Sequence, residues 1–210
     1  YDEKTTEAML RTLIQRCTNT SFIFAGSKRH VMANMFSSPS KPFYQSSITM
    51  GLNPIPLETY SQFTARMFKL GERNINEDVV RSVYEDYNGC TWFMQMMMNE
   101  LFALTPAGET CVKDMLPQAK RGVILSQEQT YKEILSQMAP RQKMLLQAIA
   151  RDKEARNITG QEFISRHNLP SASSVQSAAK GLLSSDIITK DDDSYRIYDY
   201  FFSEWLAKVY

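Results

Sequence analysis

Ser21-Phe22-Ile23-Phe24-Ala25-Gly26-Ser27-Lys28-Arg29-His30 decides how the front of this chain is read. Five residues of aromatic and β-branched character suit a short buried strand better than a helix. The strand would end in a glycine, a small hydroxyl residue and three basic or titratable side chains. An α/β sheet that delivers such residues to one edge can sense the charge of a phosphoryl group, with Ser27 near an attacking water and Arg29 facing the developing negative charge. Lys28 is a weaker candidate for the same role. The same residues also read as a plain turn with solvated Lys28 and Arg29.

Working outward, Met9, Leu10, Leu13, Ile14 and Cys17 recur at spacings of three and four, so residues 5 to 17 are expected to form an amphipathic helix facing a core. Thr18-Asn19-Thr20 is a turn. Helix, turn and strand in that order make one unit of an α/β sheet. Residues 29 to 36 suit a short helix. Pro39 and Pro42 then impose a loop, and residues 43 to 50 offer a second strand, expected at a sheet edge.

From Leu57 the spacing turns helical. Residues 57 to 69 form one helix stopped by Gly71, and Asn76 opens a second with Glu77 and Asp78 at its positive end. Asn88-Gly89 ends that helix, and a third covers about 91 to 104. Helices are also expected over 107 to 119 and 126 to 138, the latter opened by a Ser126 and Gln129 capping spacing. Farther on, a helix at 141 to 150, a short helix opened at Thr159-Gly160-Gln161-Glu162, a turn at Asn168-Leu169-Pro170-Ser171 and a helix over 172 to 184 precede a hairpin. Its strands are Ile187-Ile188-Thr189 and Tyr195-Arg196-Ile197-Tyr198, around residues 190 to 194. That order is the order of a winged helix-turn-helix, closed by an aromatic helix over 201 to 209.

Composition sets the bounds. The 210 residues are 43% hydrophobic and 22% charged, which suits a globular fold, and the formal net charge of +1 supplies no field for drawing in nucleic acid or an anionic membrane. The three cysteines lack C-x-x-C spacing and two histidines are too few for a histidine-rich metal site, so free thiols in a reducing, cytoplasmic compartment and no metal are expected. No apolar run reaches the ~20 residues of a membrane helix. The start on Tyr1, without an initiator methionine or targeting peptide, suggests a fragment of something longer.

These segments together resemble the C-terminal part of archaeal-type AAA+ ATPases of the signal-transducing, multi-domain branch. The likeness is carried by residues 22 to 30, by Pro42-Phe43-Tyr44-Gln45, by Leu52-Asn53-Pro54-Ile55-Pro56, by Gly89-Cys90-Thr91-Trp92-Phe93-Met94-Gln95 and by Tyr195 to Trp205. It implies a mainly α fold with a small β component: the end of an α/β P-loop ATPase core over 1–56, a helical lid over 57–138 and a winged-helix domain over 139–210. The family's phosphate loop and acidic metal-binding strand would lie ahead of Tyr1. ATP and Mg²⁺ are therefore expected only in the complete protein, and this part alone should not hydrolyse ATP.

The resemblance also implies that Gly89 lets the backbone approach a nucleotide and that Trp92 contacts the base or closes the lid, although Thr91 stands where relatives often carry proline. Trp92, Phe93, Met96, Met97 and Leu101 at helical spacing also read as lid core. ATP binding would draw Ser27, Arg29 and the Gly89 turn together and move the winged helix with the lid.

For DNA, the presumed recognition helix offers Ser173, Ser174, Gln176 and Lys180, while the wing tip is Asp191-Asp192-Asp193. Three carboxylates there would face phosphates, so contact with a protein partner is favoured over DNA. The alternative is a freestanding winged-helix DNA-binding regulator.

Overall fold

The computed structural model describes residues 2–26 and 29–209, which divide into two units, Tyr1–Asn53 and Pro54–Tyr210. In the first, Asp2 accepts from the Thr5 N–H and caps α1 (Glu3–Arg16). The second helix, α2, spans Arg29–Ser37. A small ring cluster of Phe24, Phe36 and Phe43, with centroids 5.1 to 5.6 Å apart, gathers the rest of the unit. A largely buried ion pair ties α1 to the proline loop, Lys41 Nζ lying 2.9 Å from Glu7 Oε1.

Three expectations for this unit are corrected. Residues 21 to 25 form no strand, and Ile23 is 94% exposed. Residues 43 to 50 are turns, bends and irregular chain rather than a second strand, and Ile48 is 99% exposed. A strand is held by its neighbours' N–H and C=O groups, and no described residue of this unit enters a ladder. The apolar stripe of α1 is also largely open, with Met9, Leu10 and Leu13 exposed instead of facing a core.

The second unit begins with α3 (Leu57–Leu70), which Gly71 terminates as expected. Strand β1 (Asn74–Ile75) follows, then α4 (Glu77–Asp86) and α5 (Thr91–Leu104). Next come β2 (Thr110–Cys111), which pairs in parallel with β1, a 3-10 turn at Lys113–Met115, and α6 (Leu116–Ser136). A single 21-residue helix thus replaces most of the two expected over 107 to 119 and 126 to 138. Ser126 sits inside it and donates its hydroxyl to the Val123 carbonyl at 2.7 Å, so it caps nothing. Gly122 does not break α6 either; a Cβ there would collide with the Glu100 side chain, and the glycine serves helix packing.

The C-terminal part is built from α7 (Pro140–Asp152), β3 (Ala155–Arg156), α8 (Gln161–Arg166) and α9 (Ala172–Ser184), then β4 (Ile188–Asp191), β5 (Ser194–Ile197) and α10 (Tyr200–Val209). Gly160, not Thr159, is the N-cap of α8. The three strands run antiparallel in the order β3-β5-β4. The hairpin closes on Asp192 and Asp193, with Asp192 at φ 52°, so both strands extend into the stretch expected as loop.

One hydrophobic core runs through the second unit from Tyr60 to Leu206. On α5 it takes Phe93, Met94, Met97, Met98 and Leu101, the inward side of a helix. On α10 it takes Phe201, Phe202, Trp205 and Leu206. Phe201 lies 5.1 Å from the Tyr87 ring of the bundle, and Phe202 stacks at 4.9 Å on Tyr131 of α6. The last helix therefore joins bundle and winged helix into one packed body.

Asp199 opens α10, its Oδ1 accepting the Phe202 N–H at 3.0 Å. Burial raises its carboxyl above the ordinary aspartate value, opposed by the hydrogen bonds it accepts from Phe202, Phe201 and Tyr131. A raised folded value makes the acid form's contribution fully present below the unfolded value and lost as pH rises through the folded one. Asp199→Asn keeps the cap without the charge. Its stability relative to the parent, from urea midpoints, is expected to match at low pH and to improve as pH climbs past the raised value.

Candidate functional site

Three groups of residues carry the functional expectations, and they fare differently. Ser27 and Lys28 lie outside the described residues. Arg29 is the first residue of α2, so the chain delivers it at the start of a helix rather than at the end of a strand. Gly26 itself is closely packed, since a Cβ on it would fall 2.8 Å from the Met32 sulfur.

The turn after α4 is well defined. The Gly89 N–H donates to the Tyr84 carbonyl at 3.0 Å, with Asn88 at φ 48° and Gly89 at φ 68°. A side chain at Gly89 has no room: its Cβ would lie 2.7 Å from Pro54 Cβ and 2.9 Å from the Tyr84 hydroxyl oxygen. That hydroxyl donates to the Ile55 carbonyl at 2.9 Å, fastening the segment before α3 against the turn. Gly89→Ala is expected to cost about 1–2 kcal/mol from the left-handed backbone alone, more with the crowding, as a lower denaturation midpoint. Trp92 follows on the first turn of α5, 55% exposed and edge-on to Phe93 at 4.8 Å, while Phe93, Met97 and Leu101 are core.

Sequence reasoning missed what this turn touches. Asn88 Nδ2 donates to the Tyr200 hydroxyl at 2.9 Å, and Arg196 Nη1 donates to the same oxygen at 2.7 Å. Arg196 also reaches Thr189 Oγ1 on β4 at 3.3 Å and lies 3.4 Å from the Asp191 carboxylate. The lid turn is thus linked by hydrogen bonds to the wing across 112 residues of sequence.

On α9, Ser173, Gln176 and Lys180 lie on the exposed side and Val175, Ala178, Ala179 and Leu182 on the buried one. Ser174 is half-buried, and its N–H donates to the Ser171 hydroxyl, the helix cap, at 3.3 Å. Between the lid turn and the wing lies a cleft of about 560 Å³ lined by Asn88, Glu154, Arg156, Asp191 to Ser194 and Arg196. Among the described residues no group of His, Cys, Asp or Glu is placed to hold a metal ion, and no helix is long and apolar enough to cross a membrane.

Residues 129–208 match the family described as "Probable winged helix domain". The C-terminal segment is a winged helix. The whole chain is also similar to a solved structure of a Walker-type ATPase of Pyrococcus abyssi, with a TM-score of 0.64 over 97% of this chain at 16% identity. That likeness is one of fold, and this chain spans 57% of the other's length. A comparison with curated proteins finds no match. The fold of the second unit is accordingly a helical bundle carrying a winged helix.

Proposed function

We propose that this chain is the sensor, lid and winged-helix portion of an ATP-dependent AAA+ switch. The observation that carries the reading is the likeness of fold, across 97% of the chain, to a protein described as a Walker-type ATPase. Two features of the chain support it. The first unit leaves Ile23, Ile48, Met50 and Leu52 exposed in chain without regular structure, apolar surface that suits packing against a further part of an ATPase core. In the second unit, lid and winged helix share one core, so a displacement of the lid carries the wing with it.

In the proposed cycle, Ser27 and Arg29 act on the phosphoryl group, and the turn at Gly89 follows the nucleotide with Trp92 beside it. ATP and Mg²⁺ are held by a phosphate loop ahead of these residues. The winged helix reports the nucleotide state to a protein partner. The regulator alternative draws on the exposed Ser173, Gln176 and Lys180 stripe, and it is opposed by the acidic hairpin tip. The test is direct. The coding sequence upstream of Tyr1 should contain G-x-x-x-x-G-K-[ST], and the polypeptide including it should hydrolyse ATP while residues 1–210 alone do not. An upstream region without that loop overturns the reading.

A further inference from the structure

Behind the Asn88 and Arg196 wall of the cleft between lid turn and wing lies an aromatic cluster with two exposed rings. Trp92 and Tyr198 are each 55% exposed, and both rings lean on Phe93, at 4.8 and 6.5 Å between centroids. Phe93 in turn lies 5.0 Å from Tyr200, whose hydroxyl is held by Asn88 and Arg196, two residues of the cleft wall. The two exposed rings therefore stand beside the cleft on a rigid support. Exposed Trp and Tyr on fixed elements are the residue types that concentrate binding energy at interfaces.

Charge decides what such a face takes. Four carboxylates, Glu154, Asp191, Asp192 and Asp193, line the cleft against two guanidinium groups. Both cations are already engaged, Arg156 with Glu154 at 3.0 Å and Arg196 with Asp191 at 3.4 Å. No ion pair joins Asp192 or Asp193 to a described cation. A polyanion meets repulsion here, and an uncharged apolar segment leaves the two free carboxylates unused. Arginine or lysine side chains satisfy both halves, since they pair with carboxylates and lie over aromatic rings. The face already makes such a contact internally, with the Arg196 guanidinium 5.7 Å from the centre of the Tyr200 ring.

We propose that the surface formed by Trp92, Tyr198 and the Asp192–Asp193 wing tip docks a basic segment of a partner protein. Its cations lie on the two rings and pair with the two carboxylates. The proposal deepens the reading of the winged helix as a partner-contact module and needs no nucleotide. A failed ATPase assay therefore leaves it standing, and its own failure leaves the ATPase reading standing.

The probe is an amidated ten-residue peptide of alternating arginine and glycine, titrated into the full chain at low salt. Trp92 emission is the readout, because Trp205 is buried. The expected result is a saturable change in emission that weakens with added salt. By calorimetry, Asp192→Asn with Asp193→Asn should weaken binding at least about tenfold, the effect of ~1.4 kcal/mol. Asparagine tolerates the left-handed backbone at Asp192, so the hairpin survives the change. Trp92→Ala should weaken binding about fivefold, the loss of one cation–ring contact of ~1 kcal/mol. Glu109→Gln with Asp114→Asn, the same charge change outside the cleft, should leave it unaltered. Three results overturn the proposal: no binding at millimolar peptide, an equal loss in the control variant, or binding of a duplex DNA oligonucleotide to this face in place of the peptide.

Discussion

On the proposed ATPase reading, Arg29→Ala, made in a polypeptide extended upstream to include the phosphate loop, is expected to lower kcat by about 10²–10³ while KM for ATP moves less than about threefold. The asymmetry follows from where the charge grows. In phosphoryl transfer negative charge spreads over the moving group at the transition state, and a guanidinium aimed there stabilises that state more than bound ATP. Steady-state hydrolysis across ATP concentrations separates the two effects. Arg29→Lys should recover part of kcat, since an ammonium keeps the charge but not the planar fork. Ser27→Ala should also lower kcat. Turnover unchanged in Arg29→Ala removes that residue from the mechanism. A rise in KM alone would make it a ground-state binding group.

The helices of the second unit were legible because each carries its own apolar side: Val79, Val80 and Val83 on α4, Phe93, Met97 and Leu101 on α5, Leu145, Leu146 and Ile149 on α7. What local spacing cannot show is a neighbour. Residues 21 to 25 have strand composition and no described ladder partner, so composition alone misleads. The Lys120-Arg121-Gly122 stretch looks like a gap between two helices. Yet Lys120 pairs with Glu204 at 2.9 Å and Asp86 at 3.3 Å, and Gly122 fits under Glu100, so contacts from α10, α4 and α5 carry α6 straight through. The parallel β1 and β2 pair is two residues long on each side, too short to leave a period. At the candidate site, Gly89 was legible as a helix terminator, and its crowding by Pro54 and Tyr84 gives the glycine a further reason. The Asn88, Tyr200 and Arg196 hydrogen bonds were not legible, because no spacing rule links a helix-ending asparagine to a tyrosine 112 residues later.

Phe201→Ala is expected to destabilise the second unit by about 3–5 kcal/mol, because the ring is fully buried and the cavity left behind is walled by rigid aromatics. Tyr87 lies 5.1 Å from it and Phe93 5.7 Å, and neither can collapse into the space without leaving its own contacts, Tyr87 stacking on Phe93 at 6.0 Å and both rings meeting Tyr200. The size of the loss matters less than its distribution. If α10 joins bundle and winged helix, tryptophan emission, which comes from Trp92 on α5 and Trp205 on α10 and so reports the second unit alone, should follow a single transition of the parent in urea, and Phe201→Ala should shift its midpoint without splitting it. Two separate transitions in that emission would mean that the winged helix is an independent domain on a loose tether. Packing could not then carry the wing with the bundle, and the link proposed between nucleotide state and the C-terminal surface would have to run through the Asn88, Tyr200 and Arg196 hydrogen bonds alone.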